Sequence, residues 1–314
     1  MGRPVAVVLR ALKLGDLITG LPALRLLRAA RPEHHVVLAT PAQWAPVVAR
    51  CDPAIEVLPA GELEPLAGAP DAPDLAVDLH GNGPASRELL TPLRPRQLIA
   101  YAGGPSQWRP VEHEVARWCR LLREGLPAPD APEVGLPGIL GEPPDRPVPR
   151  SRAVVHPGAA SASRRWPPER FAAVAMLLAA AGHEVVVTGG PGEEELAGDV
   201  ARAARVTALT GPDLEELLAL VGAARLLVSG DTGVAHVAAA YEVPSVTLFG
   251  PVSPARWGPP PHPRHRVLWY GDDSGDPHGA TADPDLLRVR VAEVVAAART
   301  ALTAGARRCE RTGS

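Results

Sequence analysis

An alternation that runs twice along the chain is the feature that most limits what it can fold into. Short, largely β-branched apolar runs are separated by longer alanine- and leucine-rich segments, the pattern of strands and helices built around a parallel sheet. The first series offers "VAVVL" (5–9), "HVVLA" (35–39), "LAVDL" (75–79) and "QLIAY" (97–101) as strands, with helical stretches such as 17–30 between them. Periodicity then fades across 127–151, where proline and glycine accumulate as in a linker. It resumes with "AVVHPG" (153–158), "HEVVVTGG" (183–190), "RVTALTG" (205–211), "RLLVSGDTG" (225–233) and "PSVTLFGP" (244–251). A chain of 314 residues is long enough for two such cores. The expectation is an α/β protein with two Rossmann-like domains, 1–150 and 151–314, whose parallel sheets face one another across a cleft. A last helix, about 286–304, is expected to return to the N-terminal domain.

Charge narrows the partners. With 32 basic against 35 acidic residues the totals carry no footprint for nucleic acid, so a small-molecule partner is expected. Cys51, Cys119 and Cys309 are far apart and form no Cys-x-x-Cys pair, which argues against a disulfide framework or a zinc knuckle. No apolar run approaches the roughly 18 residues of a spanning helix, and no secretory leader is visible. A cytoplasmic location is expected on these grounds.

In a Rossmann-like half, ligands sit where strand ends pass into helix N-termini. The junctions of interest are Lys13-Leu14-Gly15-Asp16, His80-Gly81-Asn82-Gly83, His156-Pro157-Gly158, Gly189-Gly190-Pro191-Gly192-Glu193 and Ser229-Gly230-Asp231-Thr232-Gly233. Gly230 and Gly233 allow a tight turn whose following amides have no partner within the helix, an arrangement that favours an anion such as a phosphate. The Thr232 hydroxyl adds a donor. A carboxylate beside a diphosphate would be repelled, so Asp231 suits sugar hydroxyls better. The plainer alternatives are that Asp231 caps a helix and that His236 is an ordinary buried histidine.

Three blocks, "LRALKLGDLITGLPALRLLRAARP", "HPGAASASRRWPPERFA" and "SGDTGVAHVAAAYEVPSVTLFGPVSPARWGP", resemble glycosyltransferase family 9, the heptosyltransferase-like family, in order and spacing. The resemblance implies a GT-B fold, an acceptor on the first domain, a nucleotide-sugar on the second, an inverting reaction, no metal and no cofactor. Asp16 falls on the family's proposed general base. Arg164 falls on its basic residue before the Trp-Pro block, which pairs with the donor diphosphate. Glu193 matches the acidic residue that contacts the nucleoside. Lys13, Gly158, Asp231, Thr232, Gly233 and His236 complete the implied donor set. Two threonines found before the basic residue in some members are Ala159 and Ala160 here, which leaves backbone amides and Ser161 or Ser163 to meet phosphate. The implied reaction moves a heptose or related sugar from an ADP-sugar to a hydroxyl of a glycan or glycoside of the cell surface, such as lipopolysaccharide. A nucleotide-sugar hydrolase or epimerase, or a non-catalytic nucleotide-sugar-binding relative, would use the same features.

Other signals point elsewhere. Gly81-Asn82-Gly83-Pro84-Ala85-Ser86 imitates a dinucleotide fingerprint, but proline interrupts it and no acidic residue stands about 20 residues on. His262-Pro263-Arg264-His265 and the acid-rich 271–285 lack metal-site spacing and read as solvated loop. Asp283-Pro284-Asp285 reads as a helix cap. Gly15 reads as a sharp turn after the strand, with Asp16 at the following helix start. Arg25, Arg28 and Arg31 share one helix face, read as solvated, although such a face could also meet an anionic acceptor or a membrane periphery.

Overall fold

The computed structural model describes residues 3–126, 134–148 and 152–309, and of 306–309 the backbone only. It divides into two compact units, Met1–Gly141 and Glu142–Ser314. The outer parts of the expected linker, 127–133 and 149–151, lie outside the described residues; 134–148 contains no helix or strand, and Leu136, Ile139 and Leu140 within it are buried.

In the first unit the order is β1 (Val5–Leu9), α1 (Leu14–Ala30), β2 (His35–Thr40), α2 (Ala45–Cys51), β3 (Glu56–Pro59), β4 (Leu75–Asp78), α3 (Pro84–Leu90), β5 (Gln97–Ile99) and α4 (Glu114–Gly125). Its five-stranded sheet runs β3-β2-β1-β4-β5, all parallel, with Leu9 in register with Ala39 and with Asp78. The central strands read as unbroken apolar runs because both their faces are covered. Helix α1 supplies one cover: Leu14, Leu17, Ile18, Leu21, Leu24 and Leu27 recur at helical spacing and are buried.

The second unit continues with β6 (Ala153–His156), α5 (Pro168–Ala180), β7 (Val185–Gly189), α6 (Glu194–Ala204), β8 (Thr207–Thr210), α7 (Leu214–Gly222), β9 (Leu226–Gly230), α8 (Gly233–Ala240), β10 (Ser245–Leu248), α9 (Pro254–Trp257), β11 (His265–Leu268), α10 (Pro284–Arg288) and α11 (Val291–Cys309). Its six parallel strands lie in the order β8-β7-β6-β9-β10-β11. Counted from β6, that is the doubly wound 3-2-1-4-5-6 arrangement, and the first unit repeats its first five places. The stretch expected as one last helix is two, α10 and α11, and Val294, Ala297, Ala298 and Ala301 of α11 join the core of this unit.

Several local expectations are corrected. Gly15 lies inside α1, not in the turn; residues 10–13 make the connection, and Lys13 is the N-cap. Asp16 therefore stands in the first helical turn and is not the cap. The reading of 262–265 as solvated loop fails, because Arg264 and His265 are buried as β11 joins the sheet edge. There Ser245 Oγ and His265 Nδ1 are 2.9 Å apart, and Arg264 reaches Glu242 Oε1 at 3.0 Å. The solvated basic face on α1 is largely engaged: Arg25 donates to Ile139 O at 2.9 Å and Arg28 to Asp52 Oδ2 at 3.0 Å and His34 O at 3.0 Å. Arg31 donates to Ala30 O. Asp283 is the cap expected of it, accepting from the amides of Asp285 and Leu286.

Candidate functional site

In a doubly wound sheet the chain leaves adjacent strands in opposite directions at the point where the strand order reverses, and the gap at the carboxyl ends there admits a ligand. In the second unit that point lies between β6 and β9, which are neighbours although far apart in sequence. His156-Pro157-Gly158 leaves β6 and Asp231-Thr232-Gly233 leaves β9, so both expected loops meet at this edge.

Gly230 and Arg164 are in close approach: a Cβ on Gly230 would lie 3.0 Å from the Arg164 carbonyl. Arg164 ends a short 3-10 turn, Ala162–Arg164, and its Nη1 is 3.4 Å from Asp231 Oδ2. Asp231 is 6% exposed, so its charge needs such a partner. Thr232, in extended conformation, is the N-cap of α8 and makes no side-chain cap bond, which sets aside Asp231 as the cap. His236 is 5% exposed on the first turns of α8, its ring 6.1 Å from that of Trp257. Arg164 Nε and Ser163 Oγ are buried with no hydrogen-bond partner among the described residues.

Beside this lies a second group. Glu193 stands at the N-cap of α6, and its Oε2 accepts from the Gly190 amide at 3.0 Å and lies 3.5 Å from His156 Nε2. Burial holds the His156 imidazole below its ordinary pKa, with the Glu193 carboxylate opposing. The absent side chain at Gly158 leaves room for this carboxylate, since a Cβ there would stand 2.0 Å from Glu193 Oε2. Arg165 turns away and donates to Ala159 O at 2.8 Å, and Trp166 is core, donating to Val289 O at 3.1 Å. A mostly apolar cavity of about 480 Å³ adjoins the turn, walled by Pro157, Arg165, Trp166, Pro167 and Leu196; the charged set itself does not line it.

In the first unit the reversal lies between β1 and β4. Asp16 is half-buried on the loop side of β1, and Lys13 beside it is exposed. At the end of β4, Asp78 is fully buried, accepting from Ser86 Oγ at 2.7 Å and from the His80 amide at 2.9 Å. Burial raises the pKa of the Asp78 carboxyl. Burial lowers that of His80, against the pull of Asp78. His80 Nδ1 is buried without a hydrogen-bond partner among the described residues. Sequence reading passed over Arg10, which is buried directly after β1 with its guanidinium bonded to three separate elements. The available signal was a lone arginine closing an apolar strand.

The structure thus gathers Gly158, Arg164, Glu193, Asp231, Thr232, Gly233 and His236 at one sheet edge, and Lys13 and Asp16 at the edge of the other unit. Residues 105–277 match the family model described as glycosyltransferase family 9 (heptosyltransferase), a span that includes the whole second-unit set. Lipopolysaccharide heptosyltransferase 3 of Escherichia coli is 36% identical over 118 residues, 36% of this chain and 35% of that protein. The alignment therefore spans about a third of the curated relative's length. Among solved structures, a glycosyl transferase family 9 protein from Veillonella parvula superposes with a TM-score of 0.78 at 23% identity, covering 96% of this chain and 97% of that one. The E. coli ADP-heptose lps heptosyltransferase II superposes with a TM-score of 0.74 at 20% identity, covering 95% and 98%. The two parallel-sheet units are those of the GT-B fold, and the chain belongs to glycosyltransferase family 9 (heptosyltransferase).

Proposed function

We propose that the protein is an inverting glycosyltransferase that moves a heptose or closely related sugar from an ADP-sugar to a hydroxyl of a glycan or glycoside. The observation that carries this reading is the pairing of Arg164 with Asp231 at the amide-rich start of α8. A donor diphosphate would compete with Asp231 for Arg164 and lie at the N-terminal end of α8, both of which favour an anion. Asp231, released from that pairing, would accept from the sugar hydroxyls, and His236 would donate beside it. Glu193, already against Gly158 and Gly190, is suited to the ribose hydroxyls. Relatives whose names specify lipopolysaccharide and ADP-heptose support the choice of sugar and nucleotide.

In the step proposed, the acceptor hydroxyl oxygen attacks the anomeric carbon from the face opposite the nucleotide. The bond from that carbon to the diphosphate oxygen breaks, ADP leaves with the electron pair, and the hydroxyl proton passes to the Asp16 carboxylate. Arg164 and the α8 amides stabilise the charge that grows on the leaving diphosphate, so the chain's own groups supply the positive charge that the departure needs. Lys13 is assigned to the same anionic neighbourhood. A lipid-borne acceptor would bring the protein to a membrane surface, but Arg25 and Arg28 lend that partnership little support because each is already bonded within the fold. No helix among the described residues is long and apolar enough to cross a membrane.

Replacement of Asp16 by Asn tests the chemistry. Removing a general base costs about 10²- to 10⁴-fold in kcat, so Asp16→Asn is expected to lose transfer from ADP-heptose while binding ADP within about twofold of wild type, a change too small to count as a lost contact. Wild-type turnover in the variant removes Asp16 from the mechanism. Release of free heptose from ADP-heptose without any acceptor would instead establish a hydrolase.

A further inference from the structure

The loop-bearing edge of the first unit contains a buried cation for which the proposed reaction has no use. Arg10 is 1% exposed. Its Nη1 donates to the carbonyl of Leu79, at the end of β4. Its Nη2 donates to Glu114 Oε1, at the start of α4, and to Thr19 Oγ1, each at 3.2 Å. Its Nε donates to the carbonyl of Asp16 at 2.5 Å, and the Thr19 hydroxyl donates to that same carbonyl at 2.9 Å. Glu114 is buried too and is held in turn by Trp118 Nε1 at 2.6 Å and by the Arg117 guanidinium. The Arg10 guanidinium lies 5.0 Å from the Trp118 ring. Helix α1 runs directly over this cluster, for a Cβ on Gly20 would stand 2.6 Å from Arg10 Cδ.

Taking a guanidinium out of water is unfavourable, and an apolar side chain against Trp118 would fill the same space without that cost. What only the planar fork supplies is several donors fixed in one geometry, here spread over the first turns of α1, the end of β4 and the start of α4. A carbonyl fixed by two side-chain donors fixes the peptide plane of Asp16, and with it the direction in which the Asp16 side chain leaves the helix. The same guanidinium holds Leu79, so the loop that begins with His80 is referred to the same point. We propose that Arg10, held by Glu114, is a positioning residue that sets the direction of Asp16 and its spacing from the His80 loop. The inference rests on Asp16 acting as the base, and a base misplaced by a fraction of an ångström loses most of its advantage.

The test uses Arg10→Lys, which keeps the charge and loses the fork, and Thr19→Val, which removes one donor to the Asp16 carbonyl at nearly constant volume. Both are made in the wild type and in Asp16→Asn, and transfer from ADP-heptose and amide exchange are measured. In the wild-type background Arg10→Lys is expected to lower kcat about 10- to 100-fold with KM for ADP-heptose within about twofold, and Thr19→Val to lower kcat by a smaller factor. In the Asp16→Asn background neither substitution should lower the rate further, because a residue that works through Asp16 has nothing left to position. Exchange of the amides at 17–20 should rise about tenfold while that at 156–196 is unchanged. An equal loss in both backgrounds, or unchanged exchange at 17–20, overturns the proposal. Should Asp16→Asn retain full turnover, the base assignment falls, and the exchange at 17–20 still decides whether Arg10 holds the turn. If Arg10→Lys does not fold, Thr19→Val gives the decision by the same two readouts.

Discussion

At Gly158 a hydrogen atom stands where any other residue would place a Cβ 2.0 Å from Glu193 Oε2. The obstacle is the far end of a flexible side chain, so Gly158→Ala is expected to fold and to push the Glu193 carboxylate aside. Its signature should be weaker ADP binding, by about tenfold or more, the size expected when a charge-assisted hydrogen bond is lost, with the melting temperature nearly unchanged; equal affinity in a calorimetric titration would separate Glu193 from the nucleoside. Arg164→Ala should cost more, since it removes the cation proposed for the diphosphate and leaves buried Asp231 without that partner. A rise in Kd for ADP of about 10- to 100-fold is expected from the loss of charge-assisted bonds. At this scale the sequence was most informative where glycine and charge sit together at a strand end, as at Gly158, Gly230 and Asp231. Arg10 was not legible: nothing local shows that an arginine after an apolar strand turns inward, because its partners Leu79 and Glu114 are 69 and 104 residues away.

Among elements, the buried strands were readable, and of the four edge strands β5 and β8 were readable while β3 and β11 were not. Strands β1, β4, β6, β9 and β10 are covered on both faces and therefore appear as apolar runs. Strand β3, "EVLP", and β11, "HRVL", lie at the ends of their sheets, partly exposed and with polar residues among the apolar ones, so no run announces them. In β11 this has an energetic consequence. Burial, with Arg264 and His262 adding to it, lowers the His265 pKa from 6.5 to about 4. A histidine whose pKa falls on folding stabilises the native state above its unfolded pKa, and that contribution disappears as pH falls through 6.5 towards 4. Between pH 7 and pH 4.5 the wild type should therefore lose about 2 kcal/mol more than His265→Asn, because each tenfold difference in proton affinity between the folded and unfolded chain is worth about 1.4 kcal/mol. Denaturant titrations at the two pH values check this, and parallel losses in both proteins would show that His265 is charged or solvated in the fold. A core contact just before α5 offers a simpler test: Trp166→Ala, which empties a site between Phe171 and Val289, should destabilise by about 3–5 kcal/mol.

Over the whole molecule, two doubly wound sheets could be anticipated from the repeated alternation, because parallel strands and their crossover helices write a strong pattern. The sequence did not contain the order of strands, and that order is what gives the site its place: β6 meets β9, and β1 meets β4. Ligand binding should therefore register at two separate sets of amides. ADP should slow hydrogen exchange at 156–165, 190–196 and 230–238, and saturation at about a hundred times Kd would add about 2.7 kcal/mol to the stability of the segments it holds. Protection by ADP at 10–20 and 78–86 instead would assign the nucleotide to the first unit and reverse the roles proposed for Asp16 and Arg164.

The most direct test of the central claim, that the edge between β6 and β9 holds an ADP-activated sugar, is calorimetric titration of ADP-heptose, ADP, UDP and GDP into wild type and Arg164→Ala. The account predicts that ADP-heptose and ADP bind in preference to UDP and GDP, and that both weaken together in the variant. Binding that is the same in wild type and Arg164→Ala, or no binding of any nucleotide, would contradict it.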